Sequence, residues 1–582
     1  MNRNLHYFAL FIFSIMIASS LYLSWTADRG FGELQIERLT IEREEGRVVD
    51  FMVYSPRSST YGKPLPIIMT THGIAGSKEG MYSFNIELAR RNFTVVSVDL
   101  PGHGDSMLSF EVTNFLEMAQ DCYAAVQEIQ KRPEVNSTAY GVLTHSLGFQ
   151  VAAQMQYFDN PPMGYAAVGA VADMGLGVIE DIPGNLLIAI GEYDEMISED
   201  MALDTIREAT GLESVIPETT YGSIENQTAY RLELAPTDHV FEAIDSTIVT
   251  ETTKWLIHVV QGEIQLEKTL SPTQHVYIYK VIAMATGAFS LLASTIPLLM
   301  IAVSVLPKRM NVESIANEVE SQPLKKVLGM SLLLGTIFVA IFGATSAITF
   351  HLEAGQLYFV NSMFASGLVL FFILFSLALV AVLWIFTGSK NTLETYRAAG
   401  LELDSPRLIF KRIGKALIPA AVCIIWLLGW TALGGIPHQM EPWTTFSMIR
   451  YPVGLRTLNI ILLTMFSLPF FVSDSAWIRG ILLTNRDWNG ESFSKSLILS
   501  LAGRLTAVGI LSVVLVFGST ALGFIAGSMV LMGLLLMLFF VVSILTTILI
   551  AQSSLEFQNP WPAIILSSFI WAWVAVSSIP LI

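Results

Sequence analysis

Two hydrophobic rhythms divide this chain. Between residues 26 and 278 short apolar runs alternate with polar stretches of helical period; from 279 onward the apolar runs lengthen to roughly 20 residues. Runs of that second kind match a hydrocarbon core about 30 Å thick. Eight candidate spans fall near 279–305, 327–350, 359–386, 414–434, 454–474, 496–518, 523–549 and 561–580. A further apolar run at 8–25 follows Arg3 and reads as a signal anchor, being long for a cleaved signal peptide. The expected organisation is therefore an anchor over 1–25, a domain outside the membrane over 26–278, and a membrane domain of about eight helices over 279–582.

Within 26–278 the pattern is that of a layered α/β domain. Alternation on either side of Glu44-Glu45-Gly46 predicts a β-hairpin. Buried-type strands then follow at 65–70, 93–99, 139–143, 166–172, 185–190 and 230–234, with amphipathic helices near 112–131 and after residue 148. Strands alternating with helices at this spacing predict a mostly parallel sheet covered by helices on both faces. The fold class expected is α/β, followed by an all-α transmembrane region. In such sheets chemistry collects at the carboxyl ends of the strands.

Charge sharpens the division. Residues 26–278 carry 37 Asp and Glu against 15 Lys and Arg, whereas 279–582 carry 12 against 17. An acidic domain is a poor partner for nucleic acid, whose phosphates need clustered cations. Threaded alternately from an outside first domain, the spans leave Lys308, Arg309, Lys325, Lys326, Lys390, Arg397, Arg407, Lys411, Arg412, Lys415, Arg479, Arg486 and Lys495 in inner loops. Only Arg450 and Arg456 fall in outer ones, so the positive-inside rule favours a cell-membrane protein with domain 26–278 and the C-terminus outside. Arg504 is the clear intramembrane charge, to be read as functional or as snorkelling to the inner headgroups. Cys122 and Cys423 lie in different halves, and no Cys/His spacing suggests a metal site.

The chemistry lies at the strand ends. Thr144-His145-Ser146-Leu147-Gly148 joins an apolar strand to a helix, a turn that exposes a serine hydroxyl and gathers N–H groups beside it. His72-Gly73-Ile74-Ala75-Gly76-Ser77 ends the strand at 65–70, and Asp99 to Ser106 (D-x-x-G-H-G-x-S) ends the next. Gly191-Glu192-Tyr193-Asp194 and Pro236-Thr237-Asp238-His239 end the last two. A nucleophilic serine needs a base, and the base an orienting acid. His239 follows a strand directly, while His258 sits in a terminal helix and His275 beside the first of the eight spans. Asp194 is the preferred acid, with Glu192, Glu195 and Asp173 as rivals.

These ordered motifs, over about residues 38–262, resemble the α/β-hydrolase superfamily; Thr144 departs from its G-x-S-x-G pattern, which has glycine there. The resemblance implies a Ser146–Asp194–His239 triad, with the backbone N–H groups of Ile74 and Leu147 as the oxyanion hole. It implies hydrolysis of an ester, thioester or amide through an acyl-serine, with no metal or organic cofactor. Membrane tethering points to lipid or other amphiphilic substrates. The competing expectation is a non-catalytic hydrolase-like sensor or binding module on a transporter-like bundle, kept open by Thr144. An acyltransferase with the same triad is the third.

Overall fold

The computed structural model describes residues 3–581 apart from 60, 62–63, 176, 306–321, 352–359, 361, 363–364, 402, 404, 436–440, 444–448, 484–492, 523–524 and 558. Lys308, Arg309 and Arg486, among the loop cations above, lie outside the described residues. The chain forms two compact units. One comprises Ser19–Gly287, Gly434–Arg450 and Ser578–Ile582; the other comprises Met1–Ala18, Ala288–Leu433 and Tyr451–Ser577.

The first unit is built on an eight-stranded sheet in the order β1-β2-β4-β3-β5-β6-β7-β8. Strands β1 (Leu34–Glu44) and β2 (Arg47–Pro56) form the antiparallel hairpin that the alternation predicts. From β4 outward the sheet is parallel: β3 (Leu65–Thr71), β4 (Thr94–Val98), β5 (Val135–His145), β6 (Tyr165–Val168), β7 (Leu186–Gly191) and β8 (Tyr230–Ala235). Every residue of β3, β4, β6 and β7 is buried. This explains why they read as continuous apolar runs, since a strand covered on both faces has no polar side to alternate with.

After the N-terminal helix α1 (Arg3–Asp28), helices α2 (Tyr82–Ala89) and α6 (Ser246–Leu256) pack together against one face of the sheet, over Ile68, Val95, Leu143, Ala166 and Leu187. Helix α3 (Phe115–Gln130) and the short α4 (Gly148–Ala153) pack together elsewhere on the sheet. Helix α5 (Glu199–Thr210) lies against β8, capped by the Ser198 hydroxyl, which accepts from the Met201 N–H. The β6 strand stops at Val168, short of the expected 172, because Gly169 turns the backbone to φ +58°.

Two segments distant in sequence complete this unit. Arg450 reaches Asp105 at 2.7 Å. Leu581 exchanges backbone hydrogen bonds with the loop after β4: its N–H donates to Gly102 O and its carbonyl accepts from Phe110 N–H, both at 2.9 Å. Gly102 is required there, since a Cβ would sit 2.3 Å from Leu581 O.

The second unit is helical. Among the described residues of the whole chain, eight helices are long and apolar enough to cross a membrane: Arg3–Asp28, Ile278–Val305, Leu324–Ser346, Ala365–Thr387, Pro406–Gly435, Leu455–Leu482, Phe540–Phe557 and Trp561–Ser578. This is a membrane protein. The segment expected at 496–518 lies within a helix over Phe493–Leu522. Arg504 on that helix does not snorkel. Its guanidinium pairs with Asp474 at 2.9 Å and donates to Ser543 O and the Thr546 and Thr547 hydroxyls. Asp474 escaped the sequence reading because it closes an expected span, where an acid looks like a boundary residue.

Candidate active site

Ser146 stands between β5 and α4 with φ +51°, in the left-handed region that a side chain enters only under constraint. Its N–H is tied to Val168 O at 2.8 Å. The turn is possible because its neighbours are small: a Cβ on Gly148 would meet Thr71 O at 2.9 Å, and one on Gly73 would meet Ser146 Cβ at 2.8 Å. Thr144 occupies the place of the missing glycine, buried in β5 between Thr71 and Ala167 in register. It does not abolish the turn.

The loops after β7 and β8 bring the other two residues to the serine. His239 Nε2 lies 3.3 Å from Ser146 Oγ, and Nδ1 lies 2.8 Å from Asp194 Oδ2. Asp194 Oδ1 accepts the N–H groups of Met196 and Ile197 at 2.7 and 2.9 Å, which fixes the carboxylate plane. Glu192, Glu195 and Asp173 are exposed. Burial disfavours charge on the His239 imidazole, but Asp194, by charge and hydrogen bond, outweighs it and raises the pKa above the ordinary histidine value. Burial likewise pushes Asp194 upward, yet His239 and the Ile197 N–H bring it below the usual carboxylate value.

Ile74 follows Gly73 in the loop after β3, and Leu147 is the residue between Ser146 and α4. Neither backbone N–H is donated elsewhere among the described residues. His72 braces the first loop: its Nδ1–H donates to Gly73 O at 2.8 Å while Nε2 accepts the Leu100 N–H at 3.2 Å. His258 lies in the turn that ends α6, and His275 contacts Thr250.

Three further features lie near the site, none of them assigned a role from the sequence. Glu242 is fully buried beside His239 and accepts the Gly191 N–H at 2.7 Å. His145, the residue before the serine, is buried too, and burial, followed by the nearby His239, pushes its imidazole down to about 3. The third is an ion cluster beneath the two motif loops. Lys78 Nζ contacts Asp99 Oδ2 at 2.5 Å and Asp105 Oδ2 at 2.6 Å, and the Lys78 and Asp99 side chains are both fully buried. Burial would raise the Asp105 pKa, but Lys78, Arg450 and Arg38 hold it well below the usual range. This cluster gives the D-x-x-G-H-G-x-S motif its physical content. Asp99 binds Lys78 and the Asp105 N–H, and a Cβ on Gly104 would lie 2.1 Å from its carboxylate.

Ligand atoms of His145, His239 and Glu242 lie within 4.8 Å of one another. His239 Nδ1 is committed to Asp194, so the three side chains crowd the base without bonding one another.

The sheet and the strand-end motifs define an α/β-hydrolase domain of the serine-hydrolase type. The family described as "Serine aminopeptidase, S33" matches residues 62–197. A cold-adapted esterase from an Arctic intertidal metagenomic library, solved with bound PEG, is similar in structure, with 16% identity over 39% of this chain and 95% of its own, at a TM-score of 0.28. An S-formylglutathione hydrolase from Agrobacterium tumefaciens is similar with 13% identity over the same shares, 39% and 95%, also at a TM-score of 0.28. No curated protein matches this chain.

Proposed function

We propose that this chain is a membrane-anchored serine hydrolase that cleaves an ester, thioester or amide through an acyl-serine intermediate. The observation that carries the reading is the relay Ser146 Oγ to His239 Nε2 at 3.3 Å and His239 Nδ1 to Asp194 at 2.8 Å, built on a serine at φ +51°. His239 takes the hydroxyl proton as Ser146 attacks the carbonyl carbon, then returns it to the leaving group. The N–H groups of Ile74 and Leu147 receive the oxyanion. Water, activated by the same imidazole, releases the acid. The substrates proposed are lipid or other amphiphilic esters, which a tethered site meets in the bilayer. Residues 1–25 act as an uncleaved anchor and the hydrolase domain faces outside the cell membrane, on the loop-cation asymmetry described above.

Labelling of the full-length protein by a fluorophosphonate tests this directly. Wild type should react and Ser146→Ala should not. A folded wild type that stays unlabelled would instead support the non-catalytic binding module. Turnover of esters presented in vesicles should exceed that of matched soluble esters, and equal rates would remove the lipid assignment.

A further inference from the structure

We propose that Glu242 is a positioning residue of this site: a neutral carboxylic acid that donates a hydrogen bond to Asp194 and so limits how strongly Asp194 holds a proton on His239. The inference rests on the serine-hydrolase reading and deepens it.

The carboxyl is placed by construction rather than by chance. It is fully buried, and the Gly191 N–H anchors Oε1 at 2.7 Å. Its other oxygen fits only because residue 169 has no side chain; a Cβ there would lie 2.1 Å from Oε2. Oε2 stands 3.5 Å from His239 Nδ1 and 3.6 Å from His145 Nε2, both too long for a hydrogen bond. Asp194 Oδ2 and Glu242 Oε2 converge on the same His239 Nδ1, at 2.8 and 3.5 Å, so the two carboxyl groups face each other across one ring nitrogen, within reach of a shared proton. Two carboxylates cannot bond each other unless one carries a proton.

The surroundings decide which one does. The titratable groups facing the pair are Glu195 from the loop after β7, Asp238 and His239 from the loop after β8, and His145 from the end of β5. Among the described residues no Lys or Arg pairs with either acid. Asp194 has two backbone N–H donors and the imidazole, whereas Glu242 has one N–H donor and an Oε2 with no donor at all. The proton therefore stays on Glu242. Burial, and then the Asp194 charge, raise its pKa well above the usual carboxyl value. As an acid its buried Oε2 also ceases to be an orphan, since it becomes the donor to Asp194.

The consequence is a tuned base. A donor on Asp194 disperses its charge, so His239 gives up its proton at lower pH than it would against a bare carboxylate. Glu242 touches neither substrate nor serine, and no bond forms or breaks at it.

The test is the pH dependence of the fluorophosphonate labelling rate for the full-length protein in detergent micelles, with melting temperatures recorded alongside. Glu242→Gln keeps a neutral group with a donor for Asp194 and an acceptor for the Gly191 N–H. It should label within about threefold of wild type with the same acid limb. Glu242→Leu should move the acid limb to higher pH by about half to one unit and slow labelling near neutrality about three- to tenfold. The proposal is overturned if the Gln variant falls as far as the Leu variant, or if the Leu variant keeps the wild-type limb. Should the Leu variant not fold, the Gln variant decides alone: an unchanged limb supports a neutral Glu242, and a displaced one refutes it. Failure of wild type itself to label beyond Ser146→Ala would remove the hydrolase reading and this inference with it; labelled wild type with the wrong variant pattern removes only the inference.

Discussion

Lys78→Met isolates the energetics of the ion cluster under the motif loops. The side chain is fully buried, and its ammonium lies between Asp99 and Asp105. Methionine fills a similar volume, so packing changes little and the lost charge dominates. Asp105 keeps Arg450 at 2.7 Å and Arg38 at 3.1 Å. Asp99 is the acid left stranded: it retains the N–H groups of Lys78 at 2.7 Å and Asp105 at 2.8 Å but no cation in contact. Removing one partner of a buried pair costs about 3–5 kcal/mol, and the two remaining N–H donors place this case near the lower end. At roughly 2–4 °C per kcal/mol for a domain of this size, the melting temperature should fall by about 6–12 °C. Thermal unfolding of the full-length protein in detergent, followed by tryptophan fluorescence, reads this directly. Adding Asp99→Asn removes the stranded charge and should recover roughly half of the loss. A shift under about 2 °C for Lys78→Met, or a double variant no more stable than the single one, would refute the view that charge pairing holds these loops.

Other outcomes follow from the same geometry. Gly148→Val, whose Cβ would meet Thr71 O at 2.9 Å and His72 O at 3.0 Å, should abolish labelling of Ser146, measured beside the melting temperature. Asp194→Asn should lower kcat by about 10³–10⁴-fold with little change in KM, measured with a chromogenic ester. Because the His239 pKa is raised and the neutral imidazole is the base, the acid limb of kcat/KM should lie above the ordinary histidine value, and a limb below it would contradict the Asp194 contact. For stability the sign runs the other way: the folded Asp105 pKa is depressed, so its contribution is present above the unfolded value of about 3.9 and is lost as pH falls below it. Melting curves between pH 3 and 7 should show that loss, and Asp105→Asn should flatten it. In the membrane unit, Arg504→Leu strands Asp474, so the double variant with Asp474→Asn should melt higher than the single one.

The sheet was legible because each buried strand is a short apolar run closed by a turn signal, and the sheet gathers those turns at one edge. Ser146, Asp194 and His239 each follow such a run, and the fold brings their side chains into one chain of hydrogen bonds. Glu242 was not legible: three residues past His239 it stands in Phe241-Glu242-Ala243, where an acid reads as the polar face of a helical turn. Only Gly169, which ends β6 early, shows that room was made for it. Arg450 and Asp105 are separated by 345 positions, and no local pattern links a loop between apolar spans to a loop after β4. Asp474 and Arg504 belong to different helices, and the pairing of two such charges depends on helix rotation, which hydropathy does not contain.

The loop from Asp99 to Phe110 is clasped by Arg450 and by the backbone of Leu581, residues synthesised long after the sheet itself. Chains are made from the N-terminus and domains fold as they emerge. A nascent hydrolase domain would therefore wait, with its Asp105 and Gly102 contacts unmade, until the later helices had been threaded into the bilayer. The clasp on this loop would then be among the last contacts of the first unit to close, although the sheet beneath it is among the first parts of the chain to be made.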